Sequence, residues 1–378
     1  MEKINLECPT HQMFSGLGAG NIGDEVMILG FWNCLEPTAG STVEIWDSNS
    51  PVVRWFPSRY TYLPWTDNKV CQEAVLAANL VLLVGATPVT ADLGLDWPLR
   101  ALSTRLLFCH ANNIPVHAIG VGVDFLSNAE AINIFNEAFA PIKTWTVRSS
   151  KCRSALTHLG VSDSSIMVGA DLAWLYKQSK DLREWALDKW ETLGLDLKRP
   201  LIGINVVNEV WQENMSAKKV IALALEKIIK RTGAQIIFVC NEIRQGKFFD
   251  TEAARQMMSL INEPCHLLPT AYYQPDEIVA LFSHLSVVVS QRYHVSIEAI
   301  LAGTVPVSFA RGQKMTTLID ELKMTPVGTM TEVEEEVLYS AVIDAIERRT
   351  YWLNHLHRIR RLLEERAWNN LFFMRRLS

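Results

Sequence analysis

The sequence predicts an α/β protein made of two Rossmann-like domains that face each other across a cleft, followed by C-terminal helices. Three observations support this class: short apolar runs alternate with longer amphipathic segments, the apolar runs are continuous, and a charged segment interrupts the pattern near the middle. Strand–helix alternation favours parallel sheets with helices on both faces. Continuous apolar strands are typical of sheets that are buried on both sides.

The predicted elements follow from this periodicity. Eight runs read as buried strands: VEIW (43–46), LVLLV (80–84), PVHAIGVG (115–122), TWTV (144–147), PLIGINVV (200–207), AQIIFVC (234–240), SVVVS (286–290) and VPVSF (305–309). Helical patterns lie between them, at 97–112, 128–140, 216–232, 275–284 and 293–302. The alternation pauses over the charged segment 176–199, which predicts domains at 1–180 and 196–330 and closing helices at 331–378.

Composition narrows the class of protein. The 378 residues are 49% hydrophobic and carry a formal net charge of -5, which argues against a nucleic-acid partner bound by general electrostatics. The seven cysteines are odd in number and form no C-x-x-C pair, so we expect reduced core thiols. An apolar leader and a run of about 18 apolar residues are both missing from the sequence, so we expect a cytoplasmic protein.

The C-terminal segment 351–378 has a different character, with six arginines and two glutamates among Trp, Phe and Leu. A basic amphipathic helix of this kind can make peripheral contact with an anionic membrane surface, at the inner face of the membrane. The alternative is a closing helix whose apolar face packs on a domain, which is the commoner use of such a stripe.

A glycine cluster precedes a helical pattern in SGLGAGNIGDEVMILG, residues 15–30. It matches G-x-G-x-x-G only superficially, because that fingerprint follows a strand and His11–Phe14 (HQMF) is a poor strand candidate. Asp24 and Glu25 would also repel a pyrophosphate. Either these carboxylates stabilise the helix N-terminus, or Asn21 and Asp24 bind the hydroxyl groups of a sugar-like ligand.

Arg148 directly follows the predicted strand 144–147, so we expect its guanidinium at the carboxyl edge of a sheet, where α/β proteins bind ligands. Ser149 or Ser150 can cap the next helix. Asp171 is the only charge in GADLAWLY, which predicts a hydrogen-bonded position or a turn. A surface arginine and a structural aspartate are the alternatives to functional roles.

Arg292 and His294 stand beside a predicted buried strand in SQRYHVSIEAILAGTVP, residues 290–306. Ser290 can cap a helix from about Arg292 onward, which places both basic side chains in its first turn. A cation there opposes the helix dipole, so we expect a compensating anion, either a buried carboxylate or a ligand. Lys314 follows at the next strand–loop–helix junction. Three basic groups at adjacent strand ends predict an anion site.

Together these segments resemble the polysaccharide pyruvyl transferase family over about residues 15–330. The N-terminal motif, similar to G-N-x-G-D-E, is Gly20-Asn21-Ile22-Gly23-Asp24-Glu25. A middle segment, similar to V-R-D-x-x-S-x-x-x-L-x-x-L-G, contains Val147-Arg148, Ser154, Leu156, Leu159-Gly160 and then Asp171. The C-terminal signature consists of Arg292, His294, Ala299, Ala302-Gly303, Pro306 and Lys314.

The sequence departs from the family pattern at three places. Val84-Gly85-Ala86-Thr87 carries one glycine where the family often has a Gly-rich strand end followed by Asp. Ser149 stands where the family has Asp after the arginine, and no tyrosine immediately precedes Lys314.

The resemblance implies a GT-B-like fold and transfer of pyruvate from phosphoenolpyruvate onto two hydroxyls of a sugar. The product is a cyclic ketal in a polysaccharide or glycoconjugate precursor, such as an exopolysaccharide, and phosphate is released. The N-terminal domain would take the acceptor and the C-terminal domain the donor. Phosphoenolpyruvate is the donor substrate, and neither a cofactor nor a metal is implied. A lipid-linked acceptor would give the basic C-terminal segment a purpose.

The resemblance also implies roles for individual residues. The donor carboxylate and phosphate call for Arg148, Arg292 and Lys314. His294 would deliver a proton near neutral pH. The base is left open among Asp24, Glu25 and Asp250. The residues expected at the substrates also include Gly20, Asn21 and Glu25.

Two other functions remain open from the sequence. A nucleotide-sugar glycosyltransferase of the same fold would use a glutamate to clamp the ribose, and Glu298 is the candidate. A non-catalytic glycan- or anion-binding protein is the third class, in view of the departures from the family pattern.

Overall fold

The computed structural model of the protein describes residues 10–35, 38–47, 49–55, 60–208, 215–244 and 249–372. The chain divides into two compact units. The first consists of Met1–Ala19, Asp24–Lys177 and Leu362–Ser378, and the second of Gly20–Gly23 and Gln178–Arg361. The passage between Lys177 and Gln178 lies within the charged segment 176–199.

The first unit is built on a parallel sheet. Its strands are β1 (His11–Phe14), β2 (Thr42–Ile45), β3 (Thr61–Pro64), β4 (Leu80–Val84), β5 (Val116–Val121), β6 (Thr144–Val147) and β7 (Ile166–Val168). The α-helices are α1 (Ile22–Trp32), α2 (Asn68–Ala77), α3 (Ala101–Ala111), α4 (Ala129–Ile134) and α5 (Ser150–His158). The first two residues of α1 belong to the second unit. The strand order is β3-β2-β1-β4-β5-β6-β7, so the order reverses between β1 and β4. In open α/β sheets, ligands bind at the carboxyl ends of the strands that flank such a switch point.

The second unit repeats this plan with a smaller parallel sheet. Its strands are β8 (Leu201–Asn205), β9 (Gln235–Phe238), β10 (Cys265–Leu267), β11 (Val287–Ser290) and β12 (Val305–Ser308). The helices are α6 (Arg183–Thr192), α7 (Met215–Thr232), α8 (Asp250–Met258), α9 (Pro275–Ser283), α10 (Tyr293–Leu301), α11 (Gly312–Leu322), α12 (Glu335–Glu347) and α13 (Arg349–Phe372). From Leu362 onward, α13 belongs to the first unit. The order β10-β9-β8-β11-β12 places the switch point between β8 and β11.

The structure confirms the predicted class of parallel α/β sheets. All eight predicted strands are present, and within the described residues each pairing between named strands is parallel. The six described cysteines are free, and five of them are buried.

The prediction that His11–Phe14 is a poor strand is wrong, because β1 lies buried between β2 and β4. Its polar side chains find partners that local sequence does not reveal. Nε2 of His11 and the hydroxyl of Tyr60 are 2.9 Å apart, and Nε2 of Gln12 donates to Glu44 at 3.1 Å. Hydrogen bonding of this kind removes most of the cost of burying polar groups.

Helix α13 covers most of the basic C-terminal segment, of which residues 373–378 lie outside the described part. Its apolar stripe is buried, and consists of Leu356, Ile359, Leu363, Ala367 and Leu371. Burial of this stripe favours the packed closing helix, because a membrane-binding helix needs an exposed apolar face. In the described part of the chain, no helix combines the length and the apolar character that crossing a membrane requires.

Candidate active site

The second sheet holds Arg292 at its switch point. Arg292 is the N-cap residue of α10, two positions after β11 ends. Its backbone N–H donates to Oγ of Ser290 at 3.0 Å, but the prediction that Ser290 caps the helix is wrong, because Arg292 is the N-cap residue and the helix begins at Tyr293. The guanidinium pairs with Asp250, to which Nε donates at 2.7 and 2.9 Å and Nη2 at 2.5 Å. The compensating anion expected from the sequence is therefore a buried carboxylate of the protein.

Asp250 is fixed by further donors. One carboxylate oxygen accepts from Nδ2 of Asn205 at 3.0 Å and from the backbone N–H groups of Asn241 and Glu242 at 3.0 and 3.3 Å. The side chain is fully buried. Asp250, a candidate base in the sequence, is thus engaged in orienting Arg292, whose side chain keeps 17% of its surface exposed.

His294 lies in the first turn of α10, half-buried, and packs against Gly23 at the start of α1. A Cβ atom on Gly23 would lie 2.2 Å from Cβ of His294 and 2.3 Å from its Nδ1. A glycine is required at position 23 because the His294 side chain lies too close to its backbone for any Cβ atom. The ring of Tyr293 meets the imidazole edge-on, with 5.2 Å between the centroids, and Tyr293 is itself buried.

Asn241 connects the motif segment Gly20–Gly23 to the interior of α10. Its backbone carbonyl accepts from Ile22 N–H at 2.9 Å, and its Oδ1 accepts from Gly23 N–H at 3.2 Å. Its Nδ2 donates to both carboxylate oxygens of Glu298, at 2.9 and 3.0 Å. The segment Gly20–Gly23 is therefore anchored within the second unit.

Glu298 is fully buried, one helical turn beyond His294. Burial raises the pKa of its carboxyl group to about 8, although the hydrogen bonds from Asn241 and the charge of Arg292 act in the opposite direction. A ribose clamp, the alternative role considered for Glu298, would require a ligand to reach this enclosed carboxyl and displace Asn241.

The other motif residues of the second unit are also positioned by hydrogen bonds. Gly20 has φ +95° and donates its N–H to the hydroxyl of Tyr272 at 3.2 Å. Oδ1 of Asn21 accepts from Gly23 N–H at 3.1 Å, and the Asn21 side chain is half-buried. The positive φ explains the glycine, since other residues adopt this conformation with strain.

The next strand–helix junction adds two basic groups. Helix α11 begins at Gly312, with Arg311 as its N-cap residue and the exposed Lys314 in its first turn. Because β11 and β12 are neighbours in a parallel sheet, α10 and α11 begin at the same sheet edge. Arg311 was missed by sequence analysis, although an Arg-Gly pair just after a buried strand was a usable signal.

In the first unit, Glu25 and Asp24 lie in the first turn of α1. Glu25 is fully buried, and its Oε1 accepts from Gly18 N–H at 3.0 Å, so it braces the glycine loop. Asp24 is half-buried beside Gly16. Of the two carboxylates, Asp24 retains the surface exposure that a substrate group needs.

Arg148 follows β6 as predicted, but it is 5% exposed. Its Nη2 donates to Oγ1 of Thr87 at 2.9 Å, and its Nη1 lies 3.5 Å from Oδ2 of Asp171. Asp171 caps a short 3₁₀ helix by accepting from Ala173 N–H at 2.9 Å, which confirms the predicted hydrogen-bonded position. Arg148 belongs to the first sheet, and Arg292, His294 and Lys314 belong to the second.

Two departures from the family pattern have structural explanations. Oγ of Ser149 accepts from Cys152 N–H at 3.3 Å and caps α5, a role that Ser and Asp share. Gly85 and Ala86 have φ +63° and +54°, so the backbone after β4 is left-handed at both residues, and the alanine is strained at a strand end that is often Gly-rich in the family.

Comparison with known proteins agrees with the resemblance seen in the sequence. The sequence model of the family described as polysaccharide pyruvyl transferase matches residues 21–313. No curated protein matches the sequence.

Among solved structures, the chain resembles a UDP-GlcNAc 2-epimerase from Methanocaldococcus jannaschii, with a TM-score of 0.60, 12% identity, and coverage of 89% of this chain and 92% of that one. The Neisseria meningitidis UDP-GlcNAc 2-epimerase bound to UDP-GlcNAc gives a TM-score of 0.56 and 12% identity, with coverage of 94% of this chain and 98% of that one. Anabaena Alr3699/HepE in complex with UDP-glucose gives a TM-score of 0.62 and 12% identity, with coverage of 95% of each chain. Identities this low establish the fold alone, and that fold is the predicted GT-B-like class.

Proposed function

The chain belongs to the polysaccharide pyruvyl transferase family, and from this premise we propose that it transfers pyruvate from phosphoenolpyruvate to two hydroxyls of a sugar. The product is a cyclic ketal on a polysaccharide or glycoconjugate precursor, and the second product is inorganic phosphate.

One observation carries the proposal most directly. Arg292, oriented by the buried Asp250, shares the start of α10 with His294 at the switch point of the second sheet. Arg311 and Lys314 stand at the start of α11, at the same sheet edge. A small ligand with a carboxylate and a phosphate suits this combination of an arginine fork, point charges and helix N-termini.

The proposed chemistry begins with protonation of the methylene carbon of phosphoenolpyruvate, for which His294 is the proton donor. The neighbouring carbon becomes an oxocarbenium-like centre, and the oxygen of one sugar hydroxyl bonds to it as that hydroxyl loses its proton. The carbon–oxygen bond to phosphate then breaks, and the second hydroxyl bonds to the same carbon and loses its proton. Of the two protons released, one restores His294 and one leaves with the phosphate.

The basic side chains stabilise the charge that accumulates on the leaving phosphate. Asp24 is our candidate for accepting a hydroxyl proton, because it is a partly exposed carboxylate in the G-N-x-G-D-E motif. Asn21, in the same motif, is our candidate for binding a hydroxyl through its side-chain amide. Arg148 is assigned to the donor only through its motif, since it is largely enclosed.

The test is phosphate release from phosphoenolpyruvate in the presence of a panel of soluble and lipid-linked glycosides. We expect wild type to release phosphate with a subset of acceptors. His294→Gln should lower the turnover number by about 10²–10⁴ while phosphoenolpyruvate still binds. The matched control is His284→Ala, at the end of α9, which should leave the rate unchanged.

Three results would contradict the proposal. Full turnover by His294→Gln would remove the assigned proton donor. Hydrolysis of a sugar nucleotide without any phosphate release from phosphoenolpyruvate would favour the glycosyltransferase alternative. Binding of phosphoenolpyruvate without turnover on any acceptor would favour a non-catalytic role.

A further inference from the structure

Three tryptophans form a cluster at the carboxyl edge of the first sheet. Trp46 directly follows β2, Trp65 directly follows β3, and Trp97 lies in the turn before α3. The rings of Trp46 and Trp65 are stacked, with 5.8 Å between centroids and 28° between planes. Trp97 meets both edge-on, at 4.7 Å from Trp46 and 5.7 Å from Trp65.

Charged and apolar neighbours hold this tryptophan cluster in place. The guanidinium of Arg105 lies 3.7 Å from the centre of the Trp65 ring, donates from Nε to Glu44 at 2.7 Å, and donates from Nη2 to the Trp65 carbonyl at 2.5 Å. The Glu44 side chain is fully buried, and Trp65 packs against the hydrophobic core. A cation–π contact with a buried ion pair behind it fixes the Trp65 ring.

The cluster is continuous with the glycine loop at the switch point. Trp46 donates its backbone N–H to the carbonyl of Leu17 at 2.9 Å. A Cβ on Gly18 would lie 2.6 Å from Cγ1 of Ile45, so the loop lies tightly against the end of β2. Aromatic rings therefore extend the surface that begins at the loop 15–19, within the first unit.

The rings are only partly covered. Trp46 is 41% exposed, and Trp65 and Trp97 are half-buried. The exposed carboxylates of Asp47 and Asp67 follow Trp46 and Trp65 closely in the chain. An aromatic surface that is fixed in position and has hydrogen-bond acceptors at its border suits a ligand with apolar faces and hydroxyl groups around its rim.

We propose that Trp46, with Trp65 and Trp97, is the binding platform for a pyranose ring of the acceptor glycan. The C–H groups on a pyranose face carry slight positive charge and meet the negative face of an indole ring. The equatorial hydroxyls then point outward to carboxylates and water. The platform rests on the proposed function only for the identity of its ligand as acceptor.

The decisive experiment measures sugar binding without phosphoenolpyruvate, by saturation-transfer difference NMR on the full chain. The probes are methyl glucoside, galactoside and mannoside together with glucose-, galactose- and mannose-containing disaccharides. We expect Trp46→Ala to weaken binding of the best probe about tenfold. Trp46→Phe, which keeps an aromatic face, should stay within about threefold of wild type.

Phe125→Ala is the matched control, because Phe125 is 51% exposed in the same unit and contacts His158 instead of the tryptophan cluster. It should bind sugar as wild type does. Unfolding midpoints of all variants verify that they fold. In the phosphate-release assay, Trp46→Ala should raise KM for the acceptor and leave KM for phosphoenolpyruvate unchanged.

Equal sugar binding by wild type and Trp46→Ala, or no binding of any probe by wild type, would overturn the platform. Absence of phosphate release with intact, Trp46-dependent sugar binding would instead contradict the pyruvyl transfer and support the platform as a glycan site. The two assays therefore separate failure of this inference from failure of the proposed function.

Discussion

Arg148 and Arg292 occupy similar local positions, because each stands between a buried parallel strand and a helix and each faces a buried aspartate. Arg292 donates to Asp250 at distances from 2.5 to 2.9 Å, whereas Arg148 lies 3.5 Å from the carboxylate of Asp171. The exposed fraction of the side chain is 17% for Arg292 and 6% for Arg148.

This difference shows that the same sequence signal can serve two purposes. Arg292 is rigidly oriented and still reachable, which is the combination that a ligand-binding cation needs. Arg148 is enclosed by Thr87, Asp171 and the backbone of Gly122, so its first role is to brace the end of the first sheet. Stability and binding experiments on the two arginines should therefore diverge.

The largest effect is expected for Arg292→Ala. The substitution leaves the carboxylate of Asp250 buried without its cation, and should lower the free energy of unfolding by about 3–5 kcal/mol. Arg148→Ala should cost less, about 1–3 kcal/mol, because its contact with Asp171 is long, its other bond is to the neutral hydroxyl of Thr87, and Asp171 keeps its bond from Ala173. Urea unfolding at pH 7 measures both.

The control for this comparison is the double variant Arg292→Ala with Asp250→Asn, which removes the unpaired charge and should recover part of the loss. A cost for Arg148→Ala equal to that for Arg292→Ala would show that the two pairs are equivalent, contrary to their geometry.

A second effect concerns close packing in the second unit. Gly23→Ala places a methyl group 2.2 Å from Cβ of His294, and should cost about 1–3 kcal/mol in unfolding free energy and reduce phosphate release. Adding His294→Gly removes the clashing side chain, so the double variant should be more stable than the sum of the single costs predicts. Additive costs would mean that Gly23 and His294 do not compete for space.

The buried Glu298 makes the stability of the second unit depend on pH. The raised pKa of about 8 means that folded protein keeps the proton after the unfolded chain has lost it, above a pH of about 4.5. The stability contributed by Glu298 should therefore fall as pH rises from about 4.5 to about 8, by up to about 1.4 kcal/mol per pH unit. Glu298→Gln should flatten this decline when the free energy of unfolding is measured at pH 5, 6.5 and 8. If wild type and Glu298→Gln lost stability in parallel over this range, Glu298 would not be the source of the decline.

The smallest effect on stability is expected at Ala86, in the first unit, where the backbone is left-handed. Ala86→Gly removes the Cβ atom from a residue at φ +54° and should stabilise the protein by about 1 kcal/mol, seen as a higher Tm. Ala78→Gly is the matched control, since Ala78 has φ -88° and a glycine there should lower Tm. A lower Tm for Ala86→Gly would mean that the alanine methyl group contributes more than the strain removes.

Most of the fold could be predicted from the sequence, because strands buried on both faces are continuous apolar runs. The strands that escaped prediction lack that signal for definite reasons. β1 carries His11 and Gln12, whose partners Tyr60 and Glu44 are distant in sequence. β3 is an edge strand in which only Leu63 is buried, and β7 and β10 are edge strands of three residues each, too short for a periodicity to show.

The candidate site was predictable in its residues more than in its connections. A cation at a helix N-terminus opposes the helix dipole, so the position of Arg292 correctly predicted a compensating anion. The local sequence does not identify that anion as Asp250, which is 42 positions away. The bridge that Asn241 makes between Gly23 and Glu298 depends on three separate segments of the chain, so only the folded structure reveals it.

The last turns of α13 have a consequence for how the protein is made. Arg366 and Asn370 donate to the carbonyls of Gly169 and Ala170, directly beside Asp171. During synthesis the first unit must wait for Leu362 and the residues after it, which follow the second unit in the chain. At about 5–20 residues per second, the surroundings of Arg148 stay open for about 10–40 s. A chaperone would meet the first unit during that interval, with the surface that α13 later covers still exposed.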